Sequence, residues 1–378
     1  MFALVSSPDS ILRGGTPDAN LIAALKAIVA AGSPVVLISN HAEPTWFAST
    51  LGVGGVQFLQ SVGRQSGEVV RENARRLKIA SYDVFVLATK PDDIQMGKNA
   101  QAVLIAGGWT QAAPVEALGI KVDSAAQLQQ TLALTQGWTG QWWFSGNAKN
   151  YQVRALSDLS SMYKSADQAD FSHRVTTIVK GGGPRLMALL TIASRSLLME
   201  GVDKLDELLW GVYPSSNSLN DDSEILSDFT HRLRTTVSRV RLAKRGVPLF
   251  IRHHPSTKRS SSGGRVDRTD PSEQIQTIHL NPEYRKNIRG RNVVVVDDCT
   301  TYGVSFGVAA AFLKKAGAAS VMGVALGKFG SQLREYDIEI LTDPFAPIHS
   351  DGFRVISSAG FAGNTSHFSQ QTLINIFP

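Results

Sequence analysis

The feature that most constrains the fold is a thirteen-residue segment that begins as a buried strand and ends at the start of a helix. It reads Val293-Val-Val-Val-Asp-Asp-Cys-Thr-Thr-Tyr-Gly-Val-Ser305. A continuous run of β-branched apolar residues suits a strand that is covered on both faces, as in a parallel sheet. Open α/β sheets bind ligands at the carboxyl ends of their strands, where Asp297 and Asp298 lie. The segment therefore predicts an α/β domain with a ligand site at this strand end.

The turn after this strand has the composition of a phosphate site. Thr301, Gly303 and Ser305 lead into a helical pattern, so hydroxyls and unpaired backbone N–H groups meet the positive end of a helix dipole. Gly303 lets the backbone approach a ligand closely or adopt positive φ. Two adjacent carboxylates would repel that phosphate, so we expect them to meet hydroxyl groups or a metal ion beside it. A phosphorylated sugar satisfies both requirements.

This segment resembles the phosphoribosyl-diphosphate binding signature of the type I phosphoribosyltransferase family, because it matches all of the fixed positions. The resemblance implies that Asp297 and Asp298 are catalytic, that they hold the ribose 2- and 3-hydroxyls, and that they bind Mg²⁺ indirectly or through those hydroxyls. Tyr302 departs from the pattern, in which a small residue or Thr is commoner. A capped strand–helix turn with two solvated acids is the alternative interpretation. The resemblance assigns the ribose 5-phosphate to Thr300, Thr301, Tyr302, Gly303, Val304 and Ser305.

Two upstream segments fit the same template. A predicted strand over Leu208–Tyr213 runs into a loop that could donate N–H and hydroxyl groups to a pyrophosphate, although its residues also suit an ordinary turn. The polar stretch 252–271 corresponds to a mobile loop whose cations, in the family, neutralise the leaving pyrophosphate. A solvated basic loop is the alternative there. The pyrophosphate loop comprises Tyr213, Pro214, Ser215 and Ser216, and the candidate catalytic cations are Arg252, Lys258 and Arg259.

The reaction implied by the resemblance is Mg²⁺-dependent transfer of a phosphoribosyl group from phosphoribosyl diphosphate to a nucleobase or other nitrogen acceptor, with release of pyrophosphate. Such catalysis rests on positioning and charge stabilisation, and needs no Ser–His–Asp or Cys–His set. Because members of the family are often dimers, the resemblance also brings a homodimer into consideration. No motif in the chain identifies the acceptor.

The N-terminal part of the chain resembles, more loosely, the haloacid dehalogenase-like fold. In that family one strand ends in Asp-x-Asp and a later strand ends in acids. With Asp9 as the second acid, Ser7 stands at the nucleophile position, and Gly107-Gly-Trp109 replaces the final acids. No aspartyl-phosphate nucleophile can form from this set, so phosphatase activity is not expected. The remaining matches are Ser39 for the second motif, and Lys90 or Lys98 for the Lys.

Two functions without turnover remain as alternatives. The type I family includes nucleotide-sensing and nucleic-acid-binding regulators, and the basic run from His231 to Arg245 could face phosphates. A solvated helix face is the favoured interpretation of that run, so nucleic acid is the less favoured partner. The second alternative is a component of a bacterial stress-response or defence system, because fused domains of these two types resemble those near tellurium-resistance genes.

The whole pattern predicts an α/β protein of two Rossmann-like domains with mainly parallel sheets, the C-terminal one a type I phosphoribosyltransferase fold. Residues 1–135 are the haloacid dehalogenase-like domain, 136–150 a Gly- and Trp-rich linker, and 151–378 the phosphoribosyltransferase-like domain. A helix is predicted from Val153 to Ser165. The stretch Gly323–Phe329 is not a nucleotide-binding loop, because its spacing is wrong and no Ser or Thr follows Lys328.

The distribution of charge and the cysteine content of the sequence indicate the kind of partner and the cellular compartment to be expected. Fifteen Lys and Arg stand against four acids between His231 and Arg291, whereas the whole chain has a net charge of +6. A small polyanionic substrate explains this local excess at least as well as nucleic acid. Cys299, the single cysteine, fits a reducing compartment. No apolar run approaches the ~18–20 residues of a membrane span and the first residues lack a signal-peptide pattern, so we expect a cytoplasmic protein with no membrane partner.

Overall fold

The computed structural model describes residues 1–138, 141–238, 246–257 and 267–377, which form two compact units. The first unit holds residues up to 138 together with 183–204 and 232–238. The second holds 141–182, 205–231 and the described residues from 246 onward. None of the described helices combines the length and the apolar character that a membrane span needs.

Strands and helices alternate over residues 1–138. The strands are β1 Ala3–Ser6, β2 Leu12–Arg13, β3 Thr16–Pro17, β4 Val35–Ser39, β5 Gln57–Gln60, β6 Val84–Ala88, β7 Val103–Gly107 and β8 Ile120–Val122. The helices are α1 Ala19–Ala30, α2 Phe47–Thr50, α3 Glu68–Leu77, α4 Pro91–Ala100, α5 Ala113–Glu116 and α6 Ala125–Thr135.

Ten further strands and six further α-helices lie among the described residues from 141 onward. The strands are β9 Phe144–Asn147, β10 Gln152–Asp158, β11 Leu208–Val212, β12 Phe250–Arg252, β13 Ile278–Leu280, β14 Asn292–Thr300, β15 Ser320–Lys328, β16 Gln332–Ile340, β17 Phe353–Ala362 and β18 Asn364–Thr365. The helices are α7 Ala166–Gly181, α8 Pro184–Met199, α9 Ile225–Val237, α10 Ser272–Thr277, α11 Val304–Lys315 and α12 His367–Ile376.

The first unit is built on a six-stranded sheet in the order β5-β4-β1-β6-β7-β8. All neighbouring strands in it are parallel, and the unit is consistent with a Rossmann-like domain. The apolar runs Val84–Ala88 and Val103–Gly107 are buried throughout, as strands covered on both faces must be. The chain builds outward from β1 through β4 and β5, then returns to β6 on the other side of β1. The topological switch point therefore lies between the carboxyl ends of β1 and β6.

The second unit contains a sheet in the order β11-β14-β15-β10-β9-β18. The first four strands are parallel, whereas β9 and β18 are antiparallel to their neighbours. Val293–Val296 are buried in the middle of β14, as the apolar run predicts. In the register between β11 and β14, Val212 lies opposite Val296. The predicted pyrophosphate loop, which follows β11, and the segment with Asp297 and Asp298 at the end of β14 therefore leave the sheet side by side.

The segment predicted as a helix from Val153 to Ser165 forms strand β10 instead, so that prediction was wrong. Six of the seven residues of β10 are buried, on both faces of the sheet. A strand buried on both faces has no alternating apolar pattern, so periodicity does not distinguish Val153, Ala155 and Leu156 of β10 from a buried helical segment.

The predicted linker and domain limits also differ from the observed units. Strand β9, Phe144–Asn147, lies inside the stretch expected to be a linker and pairs with β10. Residues 183–204, counted in the second domain by sequence reasoning, belong to the first unit. Arg195 on α8 is buried there, ion-pairs with Asp83 and donates to the carbonyls of Thr135 and Trp138. A contact between chain segments this far apart leaves no local sequence signal.

Candidate functional site

The candidate site lies where β11 and β14 end next to each other in the second unit. The N–H of Tyr213 donates to the carbonyl of Val296 at 2.9 Å, so the two strands stay paired up to the point where their loops begin. Asp297 and Asp298 follow at once on β14, and Pro214 follows on the other loop. The structure therefore brings together the acidic pair and the predicted pyrophosphate loop.

Asp297 and Asp298 are half-buried at this strand end. Oδ2 of Asp297 accepts a hydrogen bond from the Ser305 hydroxyl at 2.7 Å, and Oδ1 of Asp298 accepts from the N–H of Cys299 at 2.6 Å. Burial, and then the neighbouring Asp298 carboxylate, raise the pKa of Asp297 well above its ordinary value. Burial and the same two carboxylates raise the pKa of the Cys299 thiol, which argues against a reactive thiolate.

The loop after β14 has the geometry of an anion site. Gly303 stands at the N-cap of α11 with φ of 79°, in the left-handed region that favours glycine. A Cβ there would lie 2.6 Å from Cδ1 of Leu333. The N–H of Gly303 donates to the Thr300 hydroxyl at 3.1 Å, while the N–H groups of Val304 and Ser305 belong to the first helical turn, which has no intrahelical acceptors.

The side chains of this loop fall into different environments. Thr300 and Val304 are buried, whereas Thr301 and Tyr302 are half-buried. Gly303 takes the N-cap position of α11, and the Ser305 hydroxyl in the first helical turn donates to Asp297. The acid pair and the loop after β14 are consequently joined by a hydrogen bond.

The predicted pyrophosphate loop presents main chain more than side chains. The Tyr213 ring is buried and its hydroxyl donates to Gln274 at 2.8 Å, so this side chain belongs to the core. The Ser215 hydroxyl donates to Glu224 at 3.0 Å. The carbonyl of Ser216 accepts from the N–H of Ser256 at 2.9 Å. The loop is therefore fixed at several points.

Arg252 supports this loop from behind. It is 5% exposed, and its Nη2 donates to the carbonyl of Pro214 at 3.1 Å, while its Nη1 donates to the hydroxyl of Thr277 at 2.7 Å. The side chain of Asn220 bonds both main-chain groups of Arg252, and no sequence pattern indicated this residue. Arg252 thus orders the loop and lends it positive charge. The other two candidate cations, Lys258 and Arg259, lie outside the described residues.

The acid pair fits a magnesium ion that is held mainly by its substrate. Proteins bind Mg²⁺ with one or two carboxylates and leave the other positions to water and substrate phosphates. Asp297 and Asp298 supply two carboxylates at one strand end. Across the ranges that the structure describes, no group of three or more His, Cys, Asp or Glu side chains is arranged to hold a metal ion by itself.

In the first unit, the switch point between β1 and β6 is filled by an internal polar network. Ser7, at the position of a dehalogenase-type nucleophile, is 1% exposed and donates to Oδ2 of Asp93 at 3.2 Å. The same oxygen accepts from the N–H groups of Thr89 and Lys90, each at 3.0 Å. The guanidinium of Arg64 lies 2.7 Å from Oδ1 of Asp93, and both side chains are buried. A buried ion pair therefore occupies the strand ends where a phosphate would have to enter.

The other predicted residues of this edge are placed around the network. Nζ of Lys90 lies 2.7 Å from Asp9, so Lys90 rather than Lys98 accompanies the acid. Ser39 accepts from the N–H of His41 at the end of β4. The indole of Trp109 donates to the carbonyl of Ser10 at 3.1 Å. Sequence reasoning missed Arg64 and Asp93, which stand in no family motif.

The basic run from His231 to Arg245, which was predicted to be a solvated helix face, is described only as far as residue 238, and its first two arginines are buried. Arg232 and Arg234 are each 7% exposed. Nη1 of Arg232 donates to the carbonyls of Glu116 and Gly119 within the first unit. These two guanidinium groups are therefore withdrawn from nucleic-acid phosphates, and residues 239–245 of the run lie outside the described part of the chain.

Comparison with known proteins adds little to this geometry. No protein-family model and no curated protein matches the chain. A crystal structure of a HAD family hydrolase from Streptomyces avermitilis MA-4680 is similar over 32% of this chain and 74% of that one. The two are 13% identical with a TM-score of 0.26, a likeness too small to support an argument about function. The function must be argued from the site.

Proposed function

We propose that the second unit transfers a phosphoribosyl group from phosphoribosyl diphosphate to a nucleobase or other nitrogen acceptor and releases pyrophosphate, in a type I phosphoribosyltransferase fold. The observation that carries the proposal is the pairing of two loops at adjacent strand ends. One combines the Asp297–Asp298 pair with a glycine-capped helix start, and the other is held in place by the buried Arg252. A sugar with a phosphate at one end and a diphosphate at the other needs two anion sites separated by acceptors for its hydroxyls.

Each part of the substrate then has a group of matching chemistry. The N–H groups at the start of α11 bind the 5-phosphate, because helix N-termini attract anions. Asp297 and Asp298 accept hydrogen bonds from the ribose 2- and 3-hydroxyls. The main chain of Pro214 to Ser216 faces the diphosphate, with the charge of Arg252 behind it. Positioning of this kind brings an acceptor nitrogen in line with the anomeric carbon, which is the main source of catalysis for such a displacement.

A magnesium ion, when bound, neutralises the diphosphate and makes pyrophosphate a better leaving group. Asp297 and Asp298 hold it through the ribose hydroxyls or through its water ligands. Lys258 and Arg259, which lie outside the described residues, remain the candidates for contributing further positive charge as pyrophosphate leaves.

The test is pyrophosphate release from phosphoribosyl diphosphate by the full chain with Mg²⁺ and a panel of purine and pyrimidine bases. The double variant Asp297→Asn with Asp298→Asn should reduce turnover by at least about 100-fold, because each side chain loses its negative charge and one of its two acceptor oxygens, so the ribose hydroxyls are no longer aligned. The matched control is Asp351→Asn, at an exposed acid in the turn between β16 and β17, which should retain full activity.

Two results would contradict the proposal. Tight binding of phosphoribosyl diphosphate that persists unchanged in the double variant would remove Asp297 and Asp298 from the site. Binding without turnover for every acceptor, together with salt-dependent RNA or DNA binding, would instead favour a nucleotide-sensing regulator.

We also propose that the first unit has no phosphatase activity and serves as an assembly or regulatory module, as part of an enzyme or of a stress-response system. The support is the Ser7–Asp93–Arg64 network, in which the nucleophile position is a buried hydroxyl that is already bonded. The full chain should release no phosphate from p-nitrophenyl phosphate with Mg²⁺. Phosphate release that is lost in Ser7→Ala would overturn this assignment.

A further inference from the structure

Lys328, the last residue of β15, is a fully buried lysine whose three ammonium protons all bind main-chain carbonyls. Its Nζ donates to the carbonyl of Thr301 at 2.6 Å, of Gly330 at 2.8 Å and of Gln332 at 2.6 Å. An ammonium group has three donors, so none is left for a ligand. A buried charge is costly unless it is satisfied in this way.

The ammonium lies between two loops of the second unit. Lys328 stands opposite Thr300 in the register between β15 and β14. Next to it, the N–H of Phe329 donates to the carbonyl of Thr300 at 2.9 Å, and the N–H of Arg334 donates to the carbonyl of Tyr302 at 3.0 Å. The turn after β15 is thereby bonded to the loop that follows β14, residue by residue.

Two neighbours of Lys328 offset part of the cost of burying its charge. The ring of Phe144 on β9 lies 4.7 Å from Nζ, within the range of a cation–π contact. Burial lowers the pKa of Lys328 to about 8. Asp158, which stands opposite Lys328 on β10, has a smaller effect that raises the pKa of Lys328. Asp158 itself lies 3.6 Å from Lys164.

One hydrogen bond of Lys328 decides the direction of a peptide group in the phosphate loop. The Thr301–Tyr302 peptide is trans, so its carbonyl and its N–H point in opposite directions. Because the Thr301 carbonyl is turned towards Lys328, the N–H of Tyr302 is turned away from it. A loop with its carbonyls held on one side leaves its N–H groups on the other, which is the arrangement of an anion-binding nest.

We propose that Lys328 is a positioning residue for 5-phosphate binding, which holds the Thr301 carbonyl away from the ligand so that the loop offers donors alone. The proposal rests on the proposed function of the same site. Without the ammonium, the carbonyl can turn towards the cleft and repel the phosphate. The pyrophosphate loop, supported separately by Arg252, does not depend on this contact.

The test uses two probes that occupy different ends of the site, ribose 5-phosphate and Mg²⁺-pyrophosphate, titrated calorimetrically into the full chain. Lys328→Met, which keeps the length and removes the donors, should weaken ribose 5-phosphate about tenfold or more, the effect of losing a charged hydrogen bond. Pyrophosphate affinity should change by less than about twofold, a difference of less than half a kcal/mol. The control is Lys315→Met, at an exposed lysine in the last turn of α11, which should leave both affinities unchanged.

A second measurement needs no variant. Because the pKa of Lys328 is about 8, raising the pH from 7 to 9.5 removes one donor from the loop. Ribose 5-phosphate is mainly the dianion throughout this range, because the second pKa of a phosphate monoester is about 6. Its affinity for the wild-type chain should therefore fall by several fold, about the value of one hydrogen bond. Asp297 also has a raised pKa and is bonded to Ser305 of the same loop, so the series is repeated with Asp297→Asn, in which the fall in affinity should persist. If Lys328→Met fails to fold, the two series together decide the question.

The outcomes separate the two proposals. If the wild-type chain binds neither ribose 5-phosphate nor phosphoribosyl diphosphate, the proposed function is wrong. If it binds ribose 5-phosphate equally well at both pH values, or if Lys328→Met weakens both probes to the same extent, the positioning role of Lys328 is wrong while the proposed function stands.

Discussion

At the scale of single residues, the second unit uses buried cations to fix main chain. Arg252 binds the carbonyl of Pro214, and Lys328 binds the carbonyl of Thr301. Each contact turns one peptide of a different loop, and both loops leave the sheet at its carboxyl edge. A cation in this position contributes twice, since it orients N–H donors towards an anion and adds positive potential behind them.

Gly303 provides a prediction at this scale. Gly303→Ala should destabilise the second unit by about 1–3 kcal/mol through its left-handed backbone, and the new Cβ would press on Leu333. It should also weaken ribose 5-phosphate, because the loop must shift to relieve the contact. Urea unfolding and calorimetric titration measure the two effects.

The matched control is Gly290→Ala. Gly290 lies before the start of β14, has φ of 76°, and leaves open space where the Cβ of an alanine would lie. This variant should lose stability through backbone strain alone and keep its affinity for ribose 5-phosphate. Equal loss of affinity in both variants would contradict a local role for Gly303.

Residue roles of this kind are only partly predictable from sequence. The acids and glycine at 297–305 were found because their order is characteristic. Lys328 was set aside because it does not fit a nucleotide-binding loop, and its actual partners are carbonyl groups that every residue possesses. A lysine that binds main chain leaves no pattern in the amino-acid sequence.

At the scale of elements, α4 of the first unit starts at a buried ion pair. Asp93 accepts from the N–H of Lys90 at the N-cap and also faces Arg64. Asp92, one residue earlier, is exposed. The carboxylate of Asp93 therefore binds both the start of α4 and the residues that follow β1 and β6.

The prediction is that Asp93→Asn destabilises the first unit by about 3–5 kcal/mol, because removal of one charge leaves the buried Arg64 uncompensated. Asp92→Asn should change stability by less than about 0.5 kcal/mol, as is usual for an exposed position. Thermal unfolding of the two variants gives the comparison. Similar melting temperatures for both would show that the network carries little stability.

Elements with a single strong pattern were predictable, and those with a mixed pattern were not. Strand β14 and helix α11 were expected from four valines, a glycine and a helical apolar face. Strand β10 was taken for a helix because it is buried on both faces. The hairpin of β16 and β17 was not foreseen, although Leu333 and Arg334 at its start contact the phosphate loop.

At the scale of the whole molecule, loss of the proton from Lys328 should stabilise the folded chain, although the same loss should weaken the binding of ribose 5-phosphate. Its pKa in the folded chain, about 8, lies below the ordinary 10.5. Between these values the unfolded chain holds a proton that the folded chain has released, so the free energy of unfolding rises with pH. The penalty for burying the ammonium is complete below pH 8 and disappears as the pH approaches 10.5.

The wild-type chain should therefore gain up to about 3 kcal/mol relative to Lys328→Met between pH 7.5 and 10.5. Urea unfolding of both proteins at a series of pH values measures this difference and cancels the titration of other groups. A constant difference would mean that Lys328 keeps its ordinary pKa. If the free energy of unfolding rises with pH while the affinity for ribose 5-phosphate falls, the charged form of Lys328 orders the loop but destabilises the folded chain.

The first unit is assembled from three separate stretches of the chain, which affects how the protein folds while it is synthesised. Residues 183–204 and 232–238 complete that unit, and both are translated after the first strands of the second unit. The first unit therefore cannot be completed before the second of these segments has been synthesised, by which time strands β9 to β11 of the second unit are also present. For the same reason, a cut near residue 140 would leave an N-terminal fragment with an open apolar surface where α8 belongs, prone to be captured by chaperones.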